Sequence, residues 1–319
     1  VVGRPDERPD PAPPAGRPAI AVEPRSGRHE PLEAAVRAGG GEVVDIARAE
    51  GLVWADPARA DRYPEVIARG PGVRWVQLPY AGIEPFLDHL DHERTWTCGK
   101  GVYAPPVAEH VLALALAGLR HVAGYSRARR WERPHGRNLL GARVTVLGGG
   151  EITAAFADLV APFDVELTVV RRRPEPFPGA ARTLTTDRLD EALPGADLVV
   201  LALALTPETT GIVDARRLAL LEPHAWLVNV ARGRHVVTDD LVAALRADAL
   251  GGAALDVTDP EPLPEGHPLW SMPNVVITPH VGNTPEMGLP LLAARVTENV
   301  RRFAAGEPLL GLVDVDAGY

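Results

Sequence analysis

Cysteine is nearly absent from this chain of 319 residues: Cys98 stands alone, which excludes an intramolecular disulfide and any cysteine-rich metal site. Lysine is as scarce, with Lys100 the single example among abundant arginine, alanine, glycine and proline, a bias that reads as high-GC codon usage rather than function. Positive charge is not in excess either. A formal net charge of −9 with scattered arginines leaves no electrostatic footprint for nucleic acid. The longest apolar run, VLALALAGL from Val111, falls far short of the roughly 20 residues that a membrane span needs. The opening VVGRPDERPDPAPPAGRP is polar and proline-rich, unlike a signal peptide. These absences set the expectation of a cytoplasmic protein with no nucleic-acid partner, no membrane segment and no metal site.

What is present is enough apolar material, 46% of the chain, for a sizeable core, and enough length for two domains at about 100–200 residues each. After the proline-rich arm, the short apolar segments AIAVEP, GEVVDI, LVWAD, VRWVQLP and TWTCG alternate with the helix-like PLEAAVRAG and YPEVIARG. Such alternation predicts parallel strands joined by crossover helices. APPVAEHVLALALAGLRHVAGYSRARRW then reads as one long helix, with Pro105 and Pro106 at its start. A second series follows: ARVTVLG, VELTVVR, DLVVLALAL, AWLVNVA, GAALDV and NVVITPH. These runs are apolar throughout, as strands covered on both faces are. LPLLAARVTENVRRFAAG is amphipathic and predicts a last helix.

The stretch VTVLGGGEITAAFA, from Val144, has the form of a strand, a glycine turn and a helix that cradle a dinucleotide. Gly148 permits the tight turn, Gly150 lets backbone approach a pyrophosphate, and amides near Glu151 and Ile152 supply donors at the helix start. Thr153 occupies the third glycine's place, and Glu151 brings a negative charge toward phosphate. On the loop alone, an ordinary strand–helix turn is an equally good reading. In NAD-binding folds an acidic residue some 20 positions on holds the ribose hydroxyls, whereas arginine accommodates a 2′-phosphate. Here that position falls on Arg171, followed by Arg172 and Arg173, and Glu166 comes too early to substitute. The expectation is a backbone-bound dinucleotide, NADP(H) preferred and NAD(H) possible.

Further along, NVARG places Arg232 just past one apolar strand, ALDVTDPEP places Asp256 and Glu261 past another, and VVITPH places His280 past a third. Open parallel sheets bind ligands at the carboxyl ends of their strands. Any one of these residues alone is more often structural, but three strands delivering Arg, Glu and His to one edge is hard to get by chance.

The chain resembles the D-isomer-specific 2-hydroxyacid dehydrogenases in VQLPYAGIEPF, GVYAPPVAEHVLALALAGLR, VTVLGGGEI, LTPETTGIVDARRLALLEPHAWLVNVARG, ALDVTDPEPLPEGHPLW and NVVITPHVGNTPE. The resemblance implies an α/β chain of two doubly wound parallel-sheet domains. A dinucleotide-binding Rossmann domain, 103–284, would be inserted into a flavodoxin-like substrate domain formed by 1–102 and 285–319. It implies hydride transfer between nicotinamide and a D-2-hydroxy or 2-oxo acid, as in glyoxylate/hydroxypyruvate reductases. His280 would be acid and base, Glu261 would orient it and favour its charged form, and Arg232 would bind the carboxylate together with backbone amides of Tyr80, Ala81 and Gly82. Asp256 would engage the nicotinamide amide, with Thr206, Val230, His280 and Gly282 also at the cofactor. The resemblance further implies a homodimer through the helix from Val107, with Trp131 placed to reach a neighbouring subunit, and no appended regulatory domain. Trp270, like Trp131, is as readily a packing residue as a substrate contact. The competing reading is a nucleotide-responsive binding protein of the same fold, in which Glu151 and Thr153 mark a degenerate site. A complete Arg–Glu–His set favours the enzyme.

Overall fold

Strands with no polar face need cover on both sides, and the central strands of both sheets are of that kind. The computed structural model describes residues 16–318. The chain packs as two units, one that runs to Val102 and resumes at Gly288, and one that spans Tyr103–Met287.

In the first unit, β1 (Ala19–Glu23), α1 (His29–Ala38), β2 (Glu42–Val43), β3 (Gly51–Trp54), α2 (Tyr63–Ala68), β4 (Trp75–Gln77) and β5 (Thr95–Thr97) build a five-stranded sheet. Its order is β2-β1-β3-β4-β5 and every pairing is parallel. This is the flavodoxin-like order, with its reversal between β1 and β3. An aromatic cluster fills one face: Trp54 lies 5.6 Å from Tyr63 and 5.7 Å from Phe86, ring centre to ring centre.

In the second unit, α3 (Ala104–Leu119) and α4 (Val122–Arg127) precede β6 (Arg143–Leu147), α5 (Glu151–Val160), β7 (Glu166–Arg171), β8 (Arg182–Thr185) and β9 (Leu198–Leu201). Then come α6 (Ala215–Leu218), β10 (Trp226–Asn229), α7 (Thr238–Arg246), β11 (Gly252–Leu255) and β12 (Val275–Ile277). The seven strands are all parallel in the order β12-β11-β10-β9-β6-β7-β8. Strand order reverses between β6 and β9, as in a Rossmann domain. Successive residues supply opposite cores: Leu227 and Ala253 pack on one face, Val228 and Ala254 on the other.

The chain returns to the first unit with α8 (Pro285–Ala305). A buried polar chain holds it there. Asn299 donates to Gln77 Oε1 at 2.8 Å, Thr97 Oγ1 donates to the same oxygen at 2.9 Å, and Trp75 Nε1 donates to Thr97 at 2.9 Å. Asn299 also takes the Leu310 amide at 2.8 Å, so the groups brought into the core have partners.

Two expectations need correction. The long helix after Pro105 is broken: His121 takes a left-handed backbone, φ 52°, which ends α3 and starts α4 in a new direction. Helices commonly stop in this way. The second series also has a seventh strand, β8, whose RTLT carries too little apolar sequence to announce itself.

A candidate active site at the strand ends of the second unit

Gly148 leaves β6 at φ 110°, where a side chain would collide with the Ala202 carbonyl. Glycine is therefore required there. Gly150 caps α5 with open space around it and no side chain satisfying the helix start. The first-turn amides of a helix have no partner within it, so they remain donors for an anion. Glu151, in that first turn, is exposed to solvent, where a carboxylate is favourable to the helix dipole. Thr153 is fully buried and its hydroxyl donates back to the Gly148 carbonyl at 2.9 Å. The residue in the third glycine's place thus braces the turn. Ile152 is half-buried beside it.

Arg171 ends β7 and lies over Gly149, where any β-carbon would meet its side chain. Its Nε donates to the Arg173 carbonyl at 3.1 Å, Glu175 is 3.4 Å away, and the Phe177 ring lies 5.7 Å from its guanidinium carbon. Arg172 is exposed, close enough to Glu208 to help the Thr206 hydroxyl hold that carboxyl below its usual range. Thr206 follows β9 on the same sheet edge. Val230 is a core residue, 8% exposed, so its backbone rather than its side chain faces that edge.

Arg232, Asp256 and His280 follow the adjacent strands β10, β11 and β12. Asn229 shapes the first turn by accepting the Ala231 amide at 3.0 Å and donating to the Arg232 carbonyl at 2.9 Å. The Arg232 guanidinium donates to the Ala231 carbonyl at 2.8 Å. His280 Nδ1 is 2.7 Å from Glu261 Oε1, with side chains 52% and 41% exposed. An ion pair that open contributes about 0–1 kcal/mol to stability. The left-handed backbone of His280, φ 53°, costs a non-glycine residue about 1–2 kcal/mol. The pairing does not offset the strain, a balance typical of functional positions.

What holds His280 in that conformation is Asp256. Its carboxylate is 3% exposed and accepts the Val281 amide at 2.9 Å, the Gly282 amide at 2.9 Å and the Thr278 hydroxyl at 2.6 Å, while His110 Nε2 lies 3.2 Å away. The His280 amide donates to the Asp256 carbonyl at 2.8 Å. Burial pushes the carboxyl up, but the bonds from His110, Thr278, Val281 and Gly282 outweigh it and hold the pKa down at about 2. One carboxylate oxygen takes a single protein donor, leaving it capacity for a carboxamide. His110 and Thr278 carry no motif that marks them in the sequence; His110 stands immediately before the apolar run from Val111. Tyr80, Ala81 and Gly82 lie in the first unit, in the loop after β4.

Because the Asp256 pKa is depressed, its contribution to stability is complete above the ordinary carboxylate range and is lost as pH falls through about 2. Asp256→Asn is expected to melt lower than wild type at neutral pH, and the gap should close between about pH 4 and pH 2. Other carboxylates titrate equally in both proteins, so the difference isolates Asp256. Melting points that coincide at neutral pH would remove Asp256 as the clamp.

Comparison with known proteins agrees with this architecture. Residues 111–282 match the family described as D-isomer specific 2-hydroxyacid dehydrogenase, NAD binding domain. The chain is 38% identical over 299 residues to an uncharacterized protein in the proB 3′ region of Corynebacterium melassecola, covering 91% of this chain and 97% of the other. It is 30% identical over 283 residues to glyoxylate/hydroxypyruvate reductase A of Photorhabdus laumondii, covering 84% and 87%. Among solved structures, the D-isomer specific 2-hydroxyacid dehydrogenase of Xanthobacter autotrophicus, in complex with NADPH and MES, superposes with a TM-score of 0.83. It is 31% identical, with 95% of this chain and 100% of that one covered. A complete His–Glu pair on the strand edge of a Rossmann domain, together with these similarities, makes the chain an enzyme that belongs to the D-isomer-specific 2-hydroxyacid dehydrogenases.

Proposed function

We propose that this enzyme reduces a small 2-oxo acid of the glyoxylate/hydroxypyruvate class to the D-2-hydroxy acid, with NADP(H) preferred over NAD(H). The observation that carries the reading is the 2.7 Å contact between His280 and Glu261 beside a strained backbone. Glu261 accepts the Nδ1 proton and fixes the ring, so Nε2 is the nitrogen that gives a proton to the oxo oxygen and takes it back in oxidation. Arg232 offers a planar fork to the substrate carboxylate and to charge developing on the oxygen. The amides of Ala81 and Gly82, with Tyr80, are assigned to a substrate carboxylate. A bound reduced dinucleotide supplies the hydride to the oxo carbon. The residues present fit such a group: Gly150 has open space, the start of α5 is uncapped, and Arg171 and Arg172 border the turn where a 2′-phosphate is read. The NADPH complex of the Xanthobacter relative supports the same preference.

We also assign the enzyme a homodimeric state. The apolar face of α3 is taken up within its own unit, burying Val111, Leu114, Ala115 and Leu119. The uncovered apolar surface lies just beyond: Val122 is 52% exposed, Leu140 64% and Trp131 100%. A second copy of this chain is the partner assigned to that surface.

Three measurements test these readings. With glyoxylate and hydroxypyruvate, His280→Gln should lose ~10²–10⁴-fold in kcat at near wild-type cofactor affinity; a loss of only a few-fold would take His280 out of the proton transfer. Arg171→Asp should reverse or erase the NADPH preference in kcat/KM, whereas unaltered affinities for both cofactors would show that the arginines do not select. Light scattering should give twice the monomer mass for wild type and monomer for Trp131→Glu. A wild-type monomer at micromolar concentration would refute the dimer.

A further inference from the structure

Arg232, Glu261 and His280 act at the oxo carbon and its carboxylate, and they leave open what the substrate carries beyond. That question turns on the first unit. Its strand order reverses between β1 and β3, the place where an open sheet of this order forms its crevice. The loop after β1 is tied to the end of β3: Ser26 Oγ donates to the Ala55 carbonyl at 3.4 Å and accepts the Arg28 amide at 3.2 Å. His29 Nε2 lies 2.9 Å from the Val22 carbonyl and secures the same turn from the other side. Arg28 is therefore fixed at the head of α1. Its guanidinium reaches the loop after β4, where Nη2 donates to the Tyr80 hydroxyl at 2.7 Å and the guanidinium carbon lies 5.2 Å from the ring centre.

Most arginines of this structure with a resolved side-chain partner sit against a carboxylate, as Arg217 does with Asp190 at 2.9 Å. Arg28 has no carboxylate within ion-pair distance among the described residues. A guanidinium has five N–H donors, and the bond to Tyr80 uses one of them on a neutral oxygen. The amides of Ala81 and Gly82, next along the loop, donate to no acceptor among the described residues. A half-buried cation is thus held by a phenol, with its fork uncommitted, against a side chain of the loop whose amides are assigned above to the substrate carboxylate.

We propose that Arg28, positioned by Tyr80, selects 2-oxo acids that carry a second carboxylate on the carbon chain beyond the oxo group. The proposal rests on the assignment of the loop at Tyr80, Ala81 and Gly82 to the first carboxylate. The guanidinium receives the second carboxylate through two parallel N–H bonds, a match that hydroxyl or methyl groups do not provide. Tyr80 is the positioning residue: its hydroxyl accepts from Nη2 and its ring backs the guanidinium plane.

The test compares kcat/KM for oxaloacetate, a four-carbon 2-oxodicarboxylate, with that for 2-oxobutyrate, an uncharged chain of the same length, and for glyoxylate. Wild type should prefer oxaloacetate to 2-oxobutyrate. Arg28→Met should lower kcat/KM for oxaloacetate by about 10–100-fold, chiefly through KM, and affect glyoxylate far less. Arg28→Lys should recover part of the loss, and Tyr80→Phe should reproduce a smaller share of it. Equal losses on all three substrates would assign Arg28 to the first carboxylate and overturn the proposal, as would ratios that Arg28→Met leaves unchanged. Wild-type turnover of glyoxylate without any preference for oxaloacetate overturns this inference alone. No turnover of any 2-oxo acid overturns the parent reading with it.

Discussion

The site depends on one buried carboxylate. Asp256 sits at the end of β11 with almost no exposure, and it would not remain ionised there without the donors that converge on it. Those donors come from three places: the imidazole of His110 on α3, the hydroxyl of Thr278 after β12, and the amides of Val281 and Gly282. Satisfying the charge therefore sets the path of the chain just past β12, and that path carries His280 in a conformation it would not adopt alone. A glycine at 282 is part of the same arrangement, since a β-carbon there would lie 3.1 Å from the carboxylate. The exposed imidazole and its glutamate partner are the visible end of a buried structural device.

The dinucleotide turn follows the same logic with a neutral group. Helix α5 must meet β6 closely for its amides to face the phosphates, and a glycine usually permits that approach. Here Thr153 enters the interface with its hydroxyl and finds the Gly148 carbonyl. A buried hydroxyl without a partner would cost about 1–3 kcal/mol, and the bond removes that cost while tying the first helical turn to the first glycine. The departure from the glycine pattern is thereby absorbed locally, and Glu151 is absorbed by facing solvent.

Much of this was legible in the sequence because the determinants are local. Unbroken apolar runs such as LVVL and WLVN are buried parallel strands, and the ionisable residues that follow them must fall on one edge once the strands are parallel. Residues whose role depends on a distant partner were not legible. His110 precedes Asp256 by nearly half the chain, and only the packing of α3 beside the sheet shows why an apolar helix contains an imidazole. Arg28 looked like any other arginine until the fold brought it to Tyr80. The strand β8 carries arginine and two threonines in four residues, a composition that declares no burial and forms a strand because β7 offers an edge. His121, which divides the expected long helix, acts through backbone geometry that its side chain does not announce.

The lone cysteine takes on a different meaning once its surroundings are known. Cys98 is 1% exposed, its amide donates to the Gly311 carbonyl at 2.8 Å, and burial above all raises its thiol pKa. A thiol in that state is unreactive toward alkylating reagents until the segment just past β5 separates from the C-terminal segment. With no second thiol in the chain to confuse the signal, its labelling rate is a built-in clock for the opening of the first unit, read without any engineered probe.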